Sequence, residues 1–174
     1  MGRKMDNDII SIRFVKDEDF VNYRKPAMFI GTARCDFKCC TEGNFPKTVC
    51  QNHDWISSKI IEASIDSLIA RYIENPFTNA IVFGGLEPFL QAQQIIDFVT
   101  RLRKLYHYND TVVIYTGYTK EELQNGWAKY INDLKALGNI IIKYGRYVMN
   151  DEPHYDDVLG VNLASANQYA ERIA

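Results

Sequence analysis

Short hydrophobic runs alternate along this chain with stretches whose apolar residues recur at helical spacing. Runs typical of buried strands cover residues 9–15, 26–31, 79–85, 111–117 and 139–145. Helical spacing predicts helices over 65–75, 88–106 and 119–137. Such alternation is typical of βα units arranged around a parallel sheet. After Gly145 the pattern fades, and we predict an irregular polar segment with one strand over 158–164.

Local signals set the bounds of the first predicted helix. Ser64 is of the residue type that caps helix amino termini, and Ile65, Leu68 and Ile69 fall on one helical face. Asn75 precedes a proline, which disfavours helical backbone at that position. We therefore expect the helix to end there.

The length and composition predict a single α/β domain over residues 1–174. A chain of 174 residues with 47% hydrophobic content is long enough to bury one sizeable core and short for two. In such folds ligands bind at the carboxyl ends of the strands. Three chemically suggestive loops follow predicted strands, namely the cysteine-rich loop over 35–50, the Gly84-Gly85 turn and the turn over 115–118. We expect them to converge on one rim.

Charge and hydropathy argue against several classes of partner. The formal net charge of −2 shows no basic excess of the kind found in nucleic-acid binders. No apolar run approaches the roughly 18–20 residues that span a bilayer, and the first residues lack the apolar segment of a signal peptide. We therefore expect a cytoplasmic protein with neither a nucleic-acid nor a membrane partner. In a reducing compartment, clustered cysteines are more often metal ligands or catalytic thiols than disulfides.

All the cysteines lie within sixteen residues, at Cys35, Cys39, Cys40 and Cys50. Several thiolates from one loop can bind zinc or an iron–sulfur cluster. Structural zinc sites typically combine two C-x2-4-C knuckles, and this chain has no second knuckle. The spacing therefore favours an iron–sulfur site, while a zinc site and the plain burial of small thiols stay open as alternatives.

The sequence CDFKC, which begins at Cys35, resembles the first half of the C-x3-C-x2-C signature of radical S-adenosylmethionine enzymes. In that family three cysteines hold a [4Fe–4S] cluster and leave one iron open for S-adenosylmethionine. An aromatic residue such as Phe37 within the first spacing fits the family. The resemblance therefore implies that Phe37 belongs to the cofactor-binding residues.

The chain departs from this signature at the third ligand, where Glu42 stands in place of a cysteine. The tripeptide Cys50-Gln51-Asn52 is similar to the family's third cysteine and the residues after it. The resemblance then implies that the metal ligands are Cys35, Cys39 and Cys50, in a C-x3-C-x10-C arrangement with an eight-residue insertion. Cys40 or the glutamate as third ligand stays an open alternative.

Two further turns resemble elements of the same enzymes. GGLEP is similar to the GGEP element that holds the amino group of S-adenosylmethionine, which implies cofactor-binding roles for Gly84, Gly85 and Glu87. Glycines let the backbone approach a ligand closely, and a carboxylate can pair with an ammonium. YTGYT is similar to a strand-end turn of one subgroup, and adds Tyr115 and Thr116 to the implied cofactor-binding residues.

That subgroup comprises the activating proteins of anaerobic ribonucleoside-triphosphate reductase, and further similarity to it lies at 145–147 and 165–168. The resemblance covers nearly the whole chain. It implies a single radical S-adenosylmethionine domain over 1–174, folded as an incomplete α/β barrel with a mostly parallel sheet. The cluster loop would lie at the carboxyl-end rim, which stays open for a segment of another protein.

The resemblance also implies the reaction. A reduced cluster cleaves S-adenosylmethionine, and the resulting radical removes a hydrogen atom from a glycine of a partner glycyl radical enzyme, here an anaerobic ribonucleotide reductase. The electron would come from a donor such as flavodoxin or ferredoxin, and no catalytic side chain is needed beyond the cluster and cosubstrate. We expect a partner-binding face around the cluster that includes either the basic Lys38 and Lys47 or the aromatic Phe45, and we expect residues 41–48 to contribute to it.

Two rival functions stay open. A radical S-adenosylmethionine enzyme could act on another peptide or on a small molecule. A non-catalytic protein could instead carry an electron-transfer cluster or zinc. The GGLEP and YTGYT turns argue against the non-catalytic protein, because neither electron transfer nor structural zinc needs a nucleoside pocket.

Overall fold

The structure is a computed structural model that describes residues 8–174. Residues 1–7 lie outside the described residues. They belong to the first residues of the chain, for which the sequence predicts no signal peptide. Over 8–174 the chain forms nine strands: β1 (Ile9–Asp19), β2 (Ala27–Thr32), β3 (Ile61–Ser64), β4 (Ala80–Gly85), β5 (Thr111–Tyr115), β6 (Ile140–Tyr144), β7 (His154–Asp156), β8 (Val161–Leu163) and β9 (Tyr169–Arg172). The same residues form six α-helices: α1 (Lys38–Gly43), α2 (His53–Ile56), α3 (Ile65–Glu74), α4 (Ala92–Lys104), α5 (Lys120–Gly126) and α6 (Ala128–Leu137).

Seven of the strands form one sheet, in the order β3-β1-β2-β4-β5-β6-β9. The central strands β2, β4, β5 and β6 are parallel to one another. Strand β1 is antiparallel to β2 and β3, and β9 is antiparallel to β6. The predicted α/β class is confirmed, with a mixed sheet whose parallel part forms the centre. Strands β7 and β8 form a separate antiparallel pair.

The central strands are buried almost throughout because both faces of the sheet are covered. On one face, Ile81 and Phe83 of β4 pack with the apolar sides of α3, α4 and α6. On the other face, Ala80 and Val82 pack in a smaller cluster that includes Leu159. The two-residue alternation of a strand thus divides β4 between two cores.

Helix α3 forms where the sequence signals place it. It begins after Ser64, whose hydroxyl accepts a hydrogen bond from the Ser67 amide at 3.3 Å. Its apolar positions, with Ile65 and Ile69 fully buried, face the sheet core. The helix ends before Asn75, as the following proline predicts.

The two later helical stretches are each divided. The stretch predicted over 88–106 starts as a 3₁₀ turn and continues as α4. The stretch over 119–137 breaks into α5 and α6 at Trp127. At the start of α5, Thr119 and Glu122 form a reciprocal capping box, which fixes where the helix begins. Of the helices within 8–174, none combines the length and the apolar character needed to cross a membrane.

The segment after Gly145 is more regular than we predicted. It holds the three strands β7, β8 and β9, where the sequence predicted one strand, over 158–164. Strand β9 joins the main sheet, and the buried carboxylate of Asp156 accepts hydrogen bonds from the amides of Leu159 and Ala170 at 2.8 and 2.9 Å. Strands of three or four residues are too short for an alternating pattern to reveal them.

Candidate metal centre

A cavity of about 350 Å³ opens at the carboxyl ends of the parallel strands. Each of these strands sends residues into its wall. The wall includes the cysteine loop after β2, Gly85–Glu87 at the end of β4, Tyr115–Gly117 at the end of β5 and Gly145–Tyr147 after β6. The three loops that we expected to converge therefore meet here. Another cavity, of about 380 Å³, lies elsewhere, between α5, α6 and β9.

The cysteines divide into a set of three and a separate thiol. Cys35, Cys39 and Cys50 all line the cavity. Cys40 is buried outside the cavity wall, with its Sγ 3.8 Å from the Sγ of Cys39. Glu42, the other alternative ligand, forms an ion pair with Arg146 and does not line the cavity. The structure thus brings together the three predicted ligands, and their role in ligation stays a prediction.

The insertion folds back on the cluster loop. Phe37 has a left-handed conformation with φ of 55°, and α1 begins directly after it. Asn44, with φ of 50°, ends that helix, and a 3₁₀ turn over Lys47–Val49 then leads back to Cys50. Phe45 is only 7% exposed, and its ring packs against Tyr147 with centroids 6.1 Å apart. Our expectation that Phe45 contributes to an exposed partner-binding face is therefore wrong, because the ring anchors the insertion.

The thiols lie in surroundings that disfavour a free thiolate. Burial raises the pKa of Cys35 to about 12 and that of Cys39 to about 11, and it also raises the pKa of Cys50. Iron supplies the positive charge that such thiolates need. Within 8–174, no three His, Cys, Asp or Glu side chains are arranged to hold a single metal ion. A [4Fe–4S] cluster would take one thiolate at each of three irons, and the three thiols in this cavity wall are donors of the type that such a cluster needs.

Glu87 is a buried carboxylate in the cavity wall, 5% exposed. One of its oxygens accepts hydrogen bonds from the Thr116 hydroxyl at 2.8 Å and the Phe89 amide at 3.0 Å. The other accepts from the Gly117 amide at 2.9 Å. Burial raises the pKa of Glu87 to about 7, and these donors act in the opposite direction. The carboxylate is therefore held in one orientation by donors that favour its ionised form.

The two predicted glycines have different positions. Gly85 lines the cavity with φ of +80°, and a Cβ there would lie 3.0 Å from the Cα of Gly31. Gly84 lies outside the wall, where a Cβ would come within 2.8 Å of the Phe29 ring. Phe37 is also outside the wall, with the Lys47 ammonium 4.0 Å from its ring centroid. The cofactor-binding roles of Gly84 and Phe37 thus stay predictions without a cavity contact.

A model of the protein family described as a 4Fe-4S single cluster domain matches residues 27–167. The chain belongs to this family. The match runs from β2 to beyond β8, so it includes all the cysteines and most of the residues that line the cavity. No curated protein matches the chain. The predicted [4Fe–4S] cofactor is thereby confirmed, and its chemistry is consistent with an oxidoreductase.

Lys143 lines the cavity of this 4Fe-4S single cluster domain and was not predicted as a site residue. Its side chain is buried, and the ammonium donates a hydrogen bond to the Gly145 carbonyl at 2.9 Å. Burial lowers the pKa of Lys143 to about 8, while the Glu87 carboxylate acts to raise it. A lysine inside the apolar run IIIKY was the available sequence signal, since a charge is rarely buried without a partner or a ligand.

Arg146 lies in the 145–147 stretch that resembles the subgroup, but it was not predicted as a site residue. It lines the cavity and donates two hydrogen bonds to Glu122, at 2.8 and 2.7 Å. Beside it, the Tyr118 hydroxyl donates to the Asp36 carboxylate at 2.5 Å. The Tyr115 hydroxyl donates instead to the Asn22 carbonyl, also at 2.5 Å, while the residue lines the cavity, so its cofactor-binding role stays a prediction.

Proposed function

We propose that this 4Fe-4S single cluster domain is a radical S-adenosylmethionine activase. Its product would be a glycyl radical on a partner enzyme, with an anaerobic ribonucleotide reductase as that partner. One arrangement supports the proposal above all: Cys35, Cys39 and Cys50 line the same cavity as the buried, oppositely charged Glu87 and Lys143. An electron carrier needs the thiols, but it has no need of these two buried ionisable groups.

The thiol set supports an open cluster. Cys35, Cys39 and Cys50 would hold three irons of a [4Fe–4S] cluster, which leaves the fourth iron without a protein ligand. Cys40 lies outside the cavity wall and Glu42 pairs with Arg146, so neither is positioned to fill that fourth place. An iron of this kind is free to bind a small molecule.

The charged groups support a zwitterionic cosubstrate. A carboxylate offers about four acceptor positions, and in Glu87 three are taken by Thr116, Gly117 and Phe89. One position is left for a ligand ammonium. Lys143 offers the opposite charge to a ligand carboxylate. Because both side chains are buried, pairing each with a ligand charge would offset the cost of its desolvation.

The walls of the cavity would keep water from the reacting groups. Phe29, Leu86 and Leu163 line it and are each less than a tenth exposed. When bound, the cluster and S-adenosylmethionine supply the reductive cleavage and the hydrogen-atom abstraction, while the chain supplies position and exclusion of water. We find no need for a general acid or base among the lining residues.

We interpret the open seven-stranded sheet as the incomplete α/β barrel of this enzyme class. Its edges β3 and β9 do not pair with each other, and the cavity lies at the carboxyl ends of the strands between them. An unclosed rim is suited to a segment of a partner protein. We further propose a cytoplasmic setting in which flavodoxin or ferredoxin supplies the electron.

Anaerobic reconstitution tests this function. The protein is loaded with iron and sulfide, reduced with dithionite and given S-adenosylmethionine. We expect 5′-deoxyadenosine in proportion to cluster content, and a glycyl-radical spectrum once the partner reductase is added. If the loaded protein formed no 5′-deoxyadenosine, the proposed activity would be wrong, and a role as an electron carrier would remain. Formation of 5′-deoxyadenosine without a glycyl radical would instead favour an enzyme acting on another substrate.

A further inference from the structure

Helix α1 carries Cys39 and leads into the insertion that ends at Cys50. The helix is only six residues long, and Phe37 at its N-cap position offers no side-chain hydrogen bond to its amides. A helix this short is not stable by itself in water. Contacts from elsewhere in the fold must therefore hold α1, and with it the thiol of Cys39, beside the cavity.

Arg146 provides a charged contact between α1 and the body of the fold. Its Nε lies 3.1 Å from an oxygen of Glu42, near the end of α1, and its side chain is only 12% exposed. This Nε is buried and makes no hydrogen bond of good geometry to any residue within 8–174. Without Glu42, the Nε side of this buried guanidinium would have no charged partner. Glu42 therefore provides the compensating negative charge on the Nε side.

Glu122 fixes the orientation of the Arg146 guanidinium. The two terminal nitrogens of Arg146 bond to the two oxygens of Glu122, in the paired geometry that a guanidinium forms with a carboxylate. Glu122 is itself held by the Thr119 amide, which donates to it at 2.9 Å. Arg146 lowers the pKa of Glu122 to about 2, so this partner stays ionised at neutral pH. With its terminal nitrogens held in this way, Arg146 can present only its Nε side to α1.

We propose that Arg146 is the positioning residue of the cluster helix: Glu122 fixes the guanidinium, and the guanidinium holds Glu42 so that Cys39 faces the cavity. Cys39 and Glu42 are three residues apart and so lie on the same side of α1. The position at which the signature has its third cysteine thus serves as an anchor, while Cys50 lines the cavity. This inference rests on the cluster ligation in the proposed function, and it does not depend on the cosubstrate.

A second contact holds the residues just before α1. The Tyr118 hydroxyl bonds to Asp36, and the Lys38 ammonium lies 3.8 Å from Glu122 and 5.1 Å from the centroid of the Tyr118 ring. The start of α1 is therefore attached through Tyr118 and Lys38 in addition to the contact of Glu42 with Arg146. Loss of the Arg146 contact should loosen the later part of α1 without unfolding the domain.

Hydrogen exchange of the metal-free protein tests the anchor directly. The variants are Arg146→Gln and Glu42→Gln, and the latter alters a side chain that is 58% exposed, so the fold should tolerate it. The control is Glu171→Gln, which removes an ion pair of similar length, 2.8 Å to Lys120, far from the thiols. We expect amides of α1 to exchange roughly three- to fivefold faster in both variants and at the wild-type rate in the control.

The reconstituted protein gives a second readout. Iron loss to a chelator should accelerate by a similar factor in both variants, and the spectrum of the reduced cluster should change because Cys39 is less firmly held. Wild-type exchange of α1 in Arg146→Gln would overturn the proposal. Full iron in Arg146→Gln together with lost iron in Glu42→Gln would also overturn it, because Glu42 would then be a ligand. Neither measurement uses S-adenosylmethionine. Both would therefore still test the anchoring role of Arg146 if the protein proved to have no activase activity.

Discussion

Substitution of Gly85 by alanine should destabilise the protein strongly, although it adds only one methyl group. Gly85 ends β4 with φ of +80°, a conformation that residues with a Cβ rarely adopt. The added Cβ would lie 3.0 Å from the Cα of Gly31 on the paired strand β2. This neighbour is backbone, so no side-chain rotation can relieve the contact.

The cost follows from two contributions. Left-handed backbone costs a residue with a Cβ about 1–2 kcal/mol. Forcing atoms into packed surroundings costs about 1–3 kcal/mol. Alanine also reduces the entropy of the unfolded chain, which stabilises the folded state by about 0.4–1 kcal/mol. We expect the free energy of unfolding to fall by about 2–4 kcal/mol, against a typical total of about 5–15 kcal/mol.

Urea unfolding of the metal-free protein measures this effect. With a slope of about 2 kcal/mol per molar, the midpoint should fall by about 1–2 M. Gly126→Ala is the matched control, since it lies in α5 with nothing within 4 Å of its added Cβ, and it should be neutral or slightly stabilising. Equal midpoints for the two variants would refute the argument that the Gly85 turn is set by backbone crowding.

Three further predictions test the site and its surroundings. Cys50→Ala should lose most of its iron after anaerobic reconstitution, whereas Cys40→Ala should keep it, because only the former thiol lines the cavity. Glu87→Gln should flatten the dependence of stability on pH. Burial raises the pKa of Glu87 from 4.5 to about 7, so the folded state binds this proton more tightly than the unfolded state. The wild type should therefore lose about 3 kcal/mol as the pH rises through this range, measured by urea unfolding of the metal-free protein. Tyr118→Phe should cost about 1–2 kcal/mol in the same assay, because the hydrogen bond to Asp36 is lost.

Each of these expectations has a contradicting outcome. Iron retained by Cys50→Ala would overturn the ligand assignment. If Glu87→Gln kept the pH dependence of the wild type, the titrating group would be another residue. Tyr155→Phe, at a side chain that is 60% exposed, is the control for Tyr118. Equal stability of the two tyrosine variants would mean that the bond to Asp36 contributes nothing measurable.

The central part of the fold was predictable because burial on both faces leaves a strong sequence signal. Strands β4, β5 and β6 read as continuous apolar runs, and the helices between them have clear apolar faces. Strands β3 and β9 were missed, since each has only four residues and mixes polar with apolar positions at a sheet edge. The antiparallel pairing of β1 depends on contacts distant in sequence, and no local pattern encodes it.

The site was predictable only where its residues are close together in the chain. The cysteines stand out because all of them lie in one loop. Glu87 was found through its turn, and Thr116, which bonds to it at 2.8 Å, was found through a second turn. Lys143 and Arg146 act through partners on other elements, so their roles depend on the folded arrangement.

The long spacing before Cys50 is compatible with a defined cluster site because the insertion is packed. Lengthening the second spacing from two residues to ten adds only about 1.4 kcal/mol of closure entropy, at about 0.6 kcal/mol per doubling. Burial of an aromatic side chain such as Phe45 stabilises by about 1.5–3 kcal/mol, which offsets that cost. Deletion of residues 41–48 would remove both this ring and Glu42. Its consequences would therefore include a misplaced cluster loop, and a loss of partner activation in such a variant could not be assigned to partner binding alone.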